Sequence, residues 1–306
     1  MNGGRGLLRS AGAAAAAAAD RPQLWLPGSV GSLAYLAWLP LPAAVAPPPR
    51  ASDFAFLGAR LLSSGSFPWN VVLLAALGGA AVLLGCLIAA LAEAALLRAT
   101  GRGTPGRSLV REMEVAFSVL VVAMLPCVAM LAALVSGIAT VAPAEFGAPD
   151  VGGPLLMRIA AHLLPLLVGL AVVVLVCQAL GAVALRRAVG PGAVPVGAAL
   201  KAGMRDVAAQ PARRIGVAGV SLLADLLTLV LAVALLRVLW APISVELAAG
   251  QLVSPHALLL LVGFVAVWLA LVLAFGALHA WVSGWWSLEL GQAGELARPE
   301  AQEAHP

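Results

Sequence analysis

An acidic residue lies inside one of the most apolar stretches of the chain. Asp225 belongs to the run SLLADLLTLVLAVALLRVLW, residues 221–240, eleven residues after Arg214 and twelve before Arg237. At 1.5 Å per helical residue, this spacing puts Asp225 near the middle of a helix long enough to cross a bilayer. Burial favours the protonated carboxyl, which could donate a hydrogen bond to a neighbouring helix. Alternatively, the group could titrate in a proton or cation pathway.

Few other polar residues lie at comparable depth. Gln178 is close to the centre of another apolar run, and Glu93 is near the end of a third. With Asp225 they form the candidate intramembrane polar site. The expected hydrogen-bond acceptor of Asp225 is Gln178 or the carbonyl of Val122, which Pro126 leaves unpaired. Arg158 and His162 are four residues apart, so they share one helix face and form a candidate outer-leaflet polar pair.

The sequence contains no strong catalytic or metal-binding motif. The stretch GRGTPGRS, residues 101–108, lacks the lysine of a phosphate-binding loop and follows an apolar run where a strand is needed. The three cysteines are an odd number without C-x-x-C spacing, which argues against a disulfide framework and a metal site. We therefore expect no catalytic residues, no cofactor, no metal and no enzymatic activity.

Composition indicates the elements that position these residues. The 306 residues are 62% hydrophobic and only 10% charged, with a mean hydropathy of +1.02, whereas soluble domains carry about 25% charged residues. The sequence predicts an all-α, polytopic transmembrane helix bundle over residues 24–288. Its six predicted spans are Leu24–Ala46, Val71–Leu97, Val115–Val141, Leu155–Leu185, Ile215–Trp240 and Leu258–Leu288.

The distribution of positive charge predicts the orientation. With six spans and both termini in the cytoplasm, only Arg50, Arg60, Arg158 and Arg237 of the 18 Lys and Arg residues lie toward the outside. This imbalance follows the positive-inside rule and indicates a cytoplasmic (plasma) membrane protein with anionic inner-leaflet contacts. The basic residues occur in short clusters between apolar runs, so no nucleic-acid partner is expected. Trp281, Trp285 and Trp286 are expected to anchor the last span at the interface.

The two ends of the chain and the first span are less regular. Residues 1–23 form an Ala/Arg-rich segment that we expect to be frayed or interfacial, with a cleavable signal peptide as the alternative. Residues 289–306 are expected to be a disordered cytoplasmic tail. The first span contains Pro27, Pro40 and Pro42, so both a kinked span and a re-entrant segment fit it.

A family resemblance rests on two stretches. ADRPQLWLPGSVGSLAYLAWLPL, followed by the hairpin AEAALLRATGRGTP, resembles uncharacterised bacterial six-span integral membrane proteins. More distantly, the layout of residues 20–290 is similar to the six-helix membrane domain beside some glycerophosphodiester phosphodiesterases. That membrane domain offers no catalytic residues to carry over, and the resemblance implies no phosphodiesterase activity.

Two functions follow from these observations. The first is a non-enzymatic membrane protein that assembles with, or supports, another membrane protein, because small residues line several helix faces. One such face is the stripe Ala218, Ser221, Asp225, Thr228 and Ala232. The alternative is a small proton- or cation-linked transporter or permease that uses Asp225. An enzyme acting on lipids would need a His/Asp or Ser/His cluster, which the sequence does not contain.

Overall fold

The computed structural model describes residues 3–46, 64–66, 69–147, 155–250 and 254–296, and these residues contain helices and no strand. Nine α-helices follow one another in this part of the chain, and a short 3₁₀ turn, Pro22–Leu24, precedes the second. They are α1 Gly3–Ala19, α2 Trp25–Tyr35, α3 Pro40–Val45, α4 Trp69–Ala99, α5 Leu109–Gly147, α6 Leu155–Val189, α7 Val196–Ala209, α8 Pro211–Ala248 and α9 Pro255–Leu296.

Five of these helices, α4, α5, α6, α8 and α9, contain segments long and apolar enough to cross a membrane. Each segment has at least 30 residues, more than the roughly 20 that a hydrocarbon core requires. They correspond to the last five predicted spans. The prediction of an all-helical chain with membrane-spanning helices is therefore confirmed.

The first predicted span is an interrupted helix. Proline has no N–H, so Pro40 cannot donate to the carbonyl of Leu36, and α2 ends at Tyr35. A turn over residues 36–39 connects it to α3. Leu24 clusters with Ala280 of α9, whereas α3 packs against α8, where Arg237 Nε donates to the carbonyl of Ala43 at 3.1 Å. The segment therefore starts against α9 and crosses to α8.

Packing is concentrated at one end of the bundle. We call this the basal end: α4, α6 and α9 end there, and α5 and α8 begin there. Its main clusters surround Leu185 and Val217. Toward the opposite, distal end, the helices bury few side chains, and every residue of α4 from Val71 to Leu84 is exposed. Such an apolar surface suits contact with acyl chains rather than water.

The N-terminal helix α1 packs against the basal end of α9. Trp281 Nε1 donates to the carbonyl of Ala11 at 2.9 Å, and Trp285 Nε1 donates to Ser10 Oγ at 3.1 Å. Trp285 and Trp286 are each only 4% exposed. The expectation that they anchor the protein at the lipid interface is wrong for these two tryptophans, because they are buried between α1, α6 and α8.

The predicted boundary of the tail also differs from the structure. α9 continues past residue 289 to Leu296 because Glu289 is fully buried, where it accepts hydrogen bonds from Ser10 and Arg213. The remaining predicted tail, residues 297–306, lies outside the described residues.

Two glycines allow α2 and α9 to approach closely. A Cβ atom on Gly28 would overlap the carbonyl of Gly276, and one on Gly276 would overlap Ser29 Oγ and the carbonyl of Trp25. Small residues commonly bring membrane helices into backbone contact in this way. The interrupted segment is therefore tightly joined to α9.

The loop after α4 fixes the basal end of three helices. Gly101, at φ 72°, ends α4 with a Schellman motif, in which Arg102 N donates to the carbonyl of Leu97. Thr104 N donates to the buried Glu112 at 2.9 Å, and Thr104 Oγ1 donates to the carbonyl of Val189 at 2.6 Å. The stretch GRGTPGRS therefore connects α4, α5 and α6.

Candidate intramembrane polar site

The predicted site residue Glu93 lies at the centre of a polar cluster on the basal side. Its helix, α4, presents Glu93 among small buried alanines at positions 89, 90, 92 and 94, so neighbouring helices can approach the carboxylate. Glu93 Oε2 accepts a hydrogen bond from Ser283 Oγ at 2.9 Å and lies 3.5 Å from Arg186 Nη2. Glu93 Oε1 lies 3.3 Å from His279 Nε2.

Arg186 brings a buried positive charge to this cluster. Its side chain is 8% exposed and comes from the last turn of α6, where a cation is favoured by the helix dipole. Arg186 Nη2 donates to the carbonyl and Oγ of Ser283 at 2.8 and 3.0 Å, and Nε donates to Ser287 Oγ at 3.1 Å. These bonds fix the guanidinium between α6 and α9 and make the Glu93–Arg186 pair well supported.

His279 connects this cluster to the interrupted helix. Its imidazole ring lies 6.3 Å from the ring of Tyr35, measured between centroids. Tyr35 is the last residue of α2 and is 48% exposed. His279 therefore lies between an ion pair on one side and the carboxyl-terminal end of a half-helix on the other.

Asp225 faces the interior of the bundle from α8. It continues a stripe whose members Ala218, Ser221 and Ala232 are buried, as the predicted small-residue face requires. Asp225 itself is only half-buried. Among the described residues it forms no hydrogen bond or ion pair, but it interacts electrostatically with His279 and with Tyr35. It is thus an acid without a direct partner, within electrostatic range of an imidazole ring.

The expected hydrogen bond between Asp225 and Gln178 is not formed in the described part of the chain. Gln178 is half-buried on α6, between the buried Cys177 and Ala179. The structure therefore joins Glu93, and not Gln178, to the surroundings of Asp225 through His279.

The outer-leaflet pair forms a separate cluster at the distal end. Arg158 Nε lies 3.1 Å from Glu145 Oε2, and His162 Nδ1 lies 3.4 Å from Glu145 Oε1. His162 Nδ1 is also 2.9 Å from the carbonyl of Arg158. One carboxylate on α5 thus holds both residues of α6, which indicates a connection between two adjacent helices.

Three further buried carboxylates hold the basal end together. Glu112 lies 3.0 Å from Arg98, and Glu289 lies 2.6 Å from Arg213. Asp206, on α7, lies 2.8 Å from Arg214 Nε. These pairs join elements that are adjacent in the fold, and their acids are at most 14% exposed.

Sequence reasoning missed Arg186, His279, Ser283 and Tyr35 as neighbours of the site. The only available signal was depth, because Glu93, Arg186 and His279 each lie near the basal end of their helices. In chemical terms, Asp225 is an acid that could hold a proton or a cation, while the Glu93–Arg186 pair holds His279 in place.

The structure gives little indication of a resident ligand at this cluster. Within the described ranges, no group of three or more His, Cys, Asp or Glu residues could hold a metal ion. One cavity there lies between the loop before α5 and the start of α7, and another lies on the apolar surface of α9. Neither of these two cavities is lined by Asp225.

The chain was also compared with known proteins. It matches no protein-family model, no curated protein and no solved structure. The interpretation of the site therefore rests on its geometry.

Proposed function

We propose that the chain is a small, non-enzymatic transporter or permease in which Asp225 carries a proton or binds a cation. One observation carries the proposal. Asp225 is an acid without a described hydrogen bond or ion pair, in the middle of a membrane-spanning helix, and it interacts electrostatically with His279. Intramembrane ionisable residues of this kind commonly mark proton and ion pathways.

The interrupted helix supports the same function. The carboxyl-terminal end of α2 carries a partial negative charge, and its last residue, Tyr35, lies beside His279. This end therefore favours a bound cation. Transporters use discontinuous helices for this purpose, with coupling ions held by carbonyls at the ends of half-helices near the midplane.

The buried pair of Glu93 and Arg186 supplies a fixed framework for the moving proton. Because Arg186 and Ser283 already contact Glu93, its charge is compensated without Asp225. Asp225 is therefore left as the acid that takes up and releases a proton or holds a cation.

In this proposal the protein lies in the plasma membrane, crosses it six times and has both termini in the cytoplasm. The interrupted segment supplies the sixth span, since it extends from the basal half of α9, where Leu24 clusters with Ala280, to the distal half of α8, where Arg237 donates to the carbonyl of Ala43. The excess of Arg and Lys at the basal end supports an inward basal end. The resemblance to six-span bacterial membrane proteins is compatible with this topology.

A second function, assembly with or support of another membrane protein, is favoured by the distal half of α4. This half is exposed on all sides, and a Cβ on Gly78 or Gly79 would have open space around it. Small residues at such a surface allow close approach of another membrane helix. In that case Asp225 would be dispensable.

Flux measurements on the purified protein in liposomes distinguish the two functions. We expect an imposed potassium diffusion potential to drive proton entry, reported by an enclosed pH-sensitive dye, and Asp225→Asn to lower this rate at least tenfold. Glu246→Gln is the matched control, because it neutralises another acid of α8 near its distal end, where Glu246 pairs with His256. Equal flux in the wild type and Asp225→Asn, or no flux above empty liposomes for protons and a panel of solutes, would contradict transport.

A further inference from the structure

A cavity lies at the basal surface, away from Asp225. It has a volume of about 430 Å³ and lies between the loop before α5 and the start of α7. Its lining contains two arginines, Arg107 and Arg111, and a set of apolar residues. We propose that this cavity binds the headgroup of an anionic phospholipid of the inner leaflet. The choice of leaflet rests on the orientation proposed above.

The charges around the cavity favour an anion. Arg107 is half-buried and uses Nη1 to donate to the carbonyl of Ala188 at 3.3 Å, so other N–H groups of its guanidinium remain for a ligand. Arg111 pairs with Glu114 at 2.8 Å, and both side chains are exposed. The nearby Glu112 points inward to Arg98 and Thr104. Two guanidinium groups thus face the cavity with Glu114 as their described counter-charge.

The backbone adds to this positive potential. α5 begins at Leu109 and α7 begins at Val196, so both amino-terminal ends lie beside the cavity. Pro195 precedes α7 and gives it no side-chain cap. The first N–H groups of a helix have no intrahelical acceptor and attract phosphate groups. These donors supplement the two arginines on which the proposal depends.

The apolar part of the lining identifies an amphiphile rather than a free anion. Val115, Val194, Pro195 and Val196 form one side of the cavity. Val110, outside the cavity but one residue from Arg111, is 60% exposed, and Met204 on α7 is 55% exposed. A basic surface with exposed apolar side chains is typical of the headgroup region. A phospholipid can place its phosphate on the arginines and its glycerol and upper acyl carbons on the valines.

Native mass spectrometry of the full-length protein tests the site. Phosphatidylglycerol is titrated against phosphatidylcholine, and the apparent Kd of the first bound lipid is measured. We expect phosphatidylglycerol to bind at least tenfold more tightly. Each basic residue near the membrane surface contributes about fivefold to the affinity for an anionic lipid. Arg111→Gln should therefore weaken phosphatidylglycerol binding about fivefold, and the double variant Arg107→Gln, Arg111→Gln about 30-fold. Glu114→Gln should tighten binding at least twofold, because it removes the counter-charge of Arg111.

The controls separate this site from a general basic surface. Arg205→Gln removes an exposed charge of α7 that does not line the cavity, and it should change the Kd less than twofold. Equal losses from Arg205→Gln and Arg111→Gln, or equal binding of the two lipids, would overturn the proposal. Displacement of phosphatidylglycerol by millimolar glycerol phosphate or inorganic phosphate would also overturn it. Because Arg107 supports Ala188, Arg111→Gln alone provides the test if the double variant fails to fold. Loss of proton flux without loss of lipid binding would affect only the transport proposal.

Discussion

The pair formed by Asp206 and Arg214 allows a sharp test of the packing at the basal end. Arg214 is fully buried, and its Nη1 and Nη2 atoms have no hydrogen-bond partner among the described residues. Asp206 is 14% exposed and has a second cation, Arg187, at 3.8 Å. Arg214 therefore depends on Asp206 more than Asp206 depends on Arg214.

Replacing each partner alone should give unequal losses. Asp206→Ala leaves a buried, uncompensated guanidinium, and breaking a buried pair in this way costs about 3–5 kcal/mol of unfolding free energy. Arg214→Met leaves Asp206 with Arg187 and some access to solvent, so we expect a smaller loss of about 1–2 kcal/mol, closer to the value of an exposed charge pair. The double variant should be more stable than Asp206→Ala by about 2 kcal/mol, because it leaves no charge unpaired.

The assay is unfolding of the purified protein in mixed micelles of increasing sodium dodecyl sulfate content, followed by circular dichroism. The four proteins form a double-mutant cycle, whose coupling energy isolates the pair from the effects of each substitution alone. A loss below about 1 kcal/mol for Asp206→Ala would refute the reasoning. A larger loss for Arg214→Met than for Asp206→Ala would also refute it, because Asp206 would then depend on the pair more than Arg214 does.

Two further predictions concern the contacts of α9 and use the same unfolding measurement. Gly276→Val should lower the free energy of unfolding by about 1–3 kcal/mol, because the new side chain overlaps the backbone of α2. Gly263→Val, with open space around the glycine, should cost less than about 1 kcal/mol. Equal effects would show that α2 does not depend on this contact. Ser10→Ala should lower the free energy of unfolding by about 1–3 kcal/mol, because it leaves the buried Glu289 and Trp285 without the hydroxyl between them. Ser118→Ala, on the exposed face of α5, should be nearly neutral. A neutral Ser10→Ala would mean that α1 contributes little to stability.

The long helices could be predicted because hydrophobic length depends on local sequence alone. The small-residue stripe of α8 was also predictable, since Ala218, Ser221 and Ala232 are spaced by helical periodicity and are buried as expected. Periodicity gives the face of a helix but not the neighbour that it meets. Asp225 was therefore assigned to the correct face, but among the described residues it bonds to neither of its expected acceptors, Gln178 and the carbonyl of Val122.

The polar cluster could not be derived for a related reason. Glu93, Arg186 and His279 come from three helices, and their meeting depends on the rotation and tilt of each one. The tryptophans of α9 were misassigned because indole groups occur both at lipid interfaces and between packed helices. The spacing of Ser10, Ala14 and Ala18 could have revealed that α1 packs on these tryptophans, since the three residues form one buried stripe on α1.

The uneven distribution of packing has a mechanical consequence. At the distal end, Glu145 joins α5 to α6 and Glu246 joins α8 to α9, so each ion pair lies within one helical hairpin. Among the described residues, no distal ion pair joins these two hairpins or reaches α4. Among the described residues, opening between the two hairpins would therefore break apolar contacts and no distal ion pair. Its free energy should depend on the apolar area exposed and little on ionic strength.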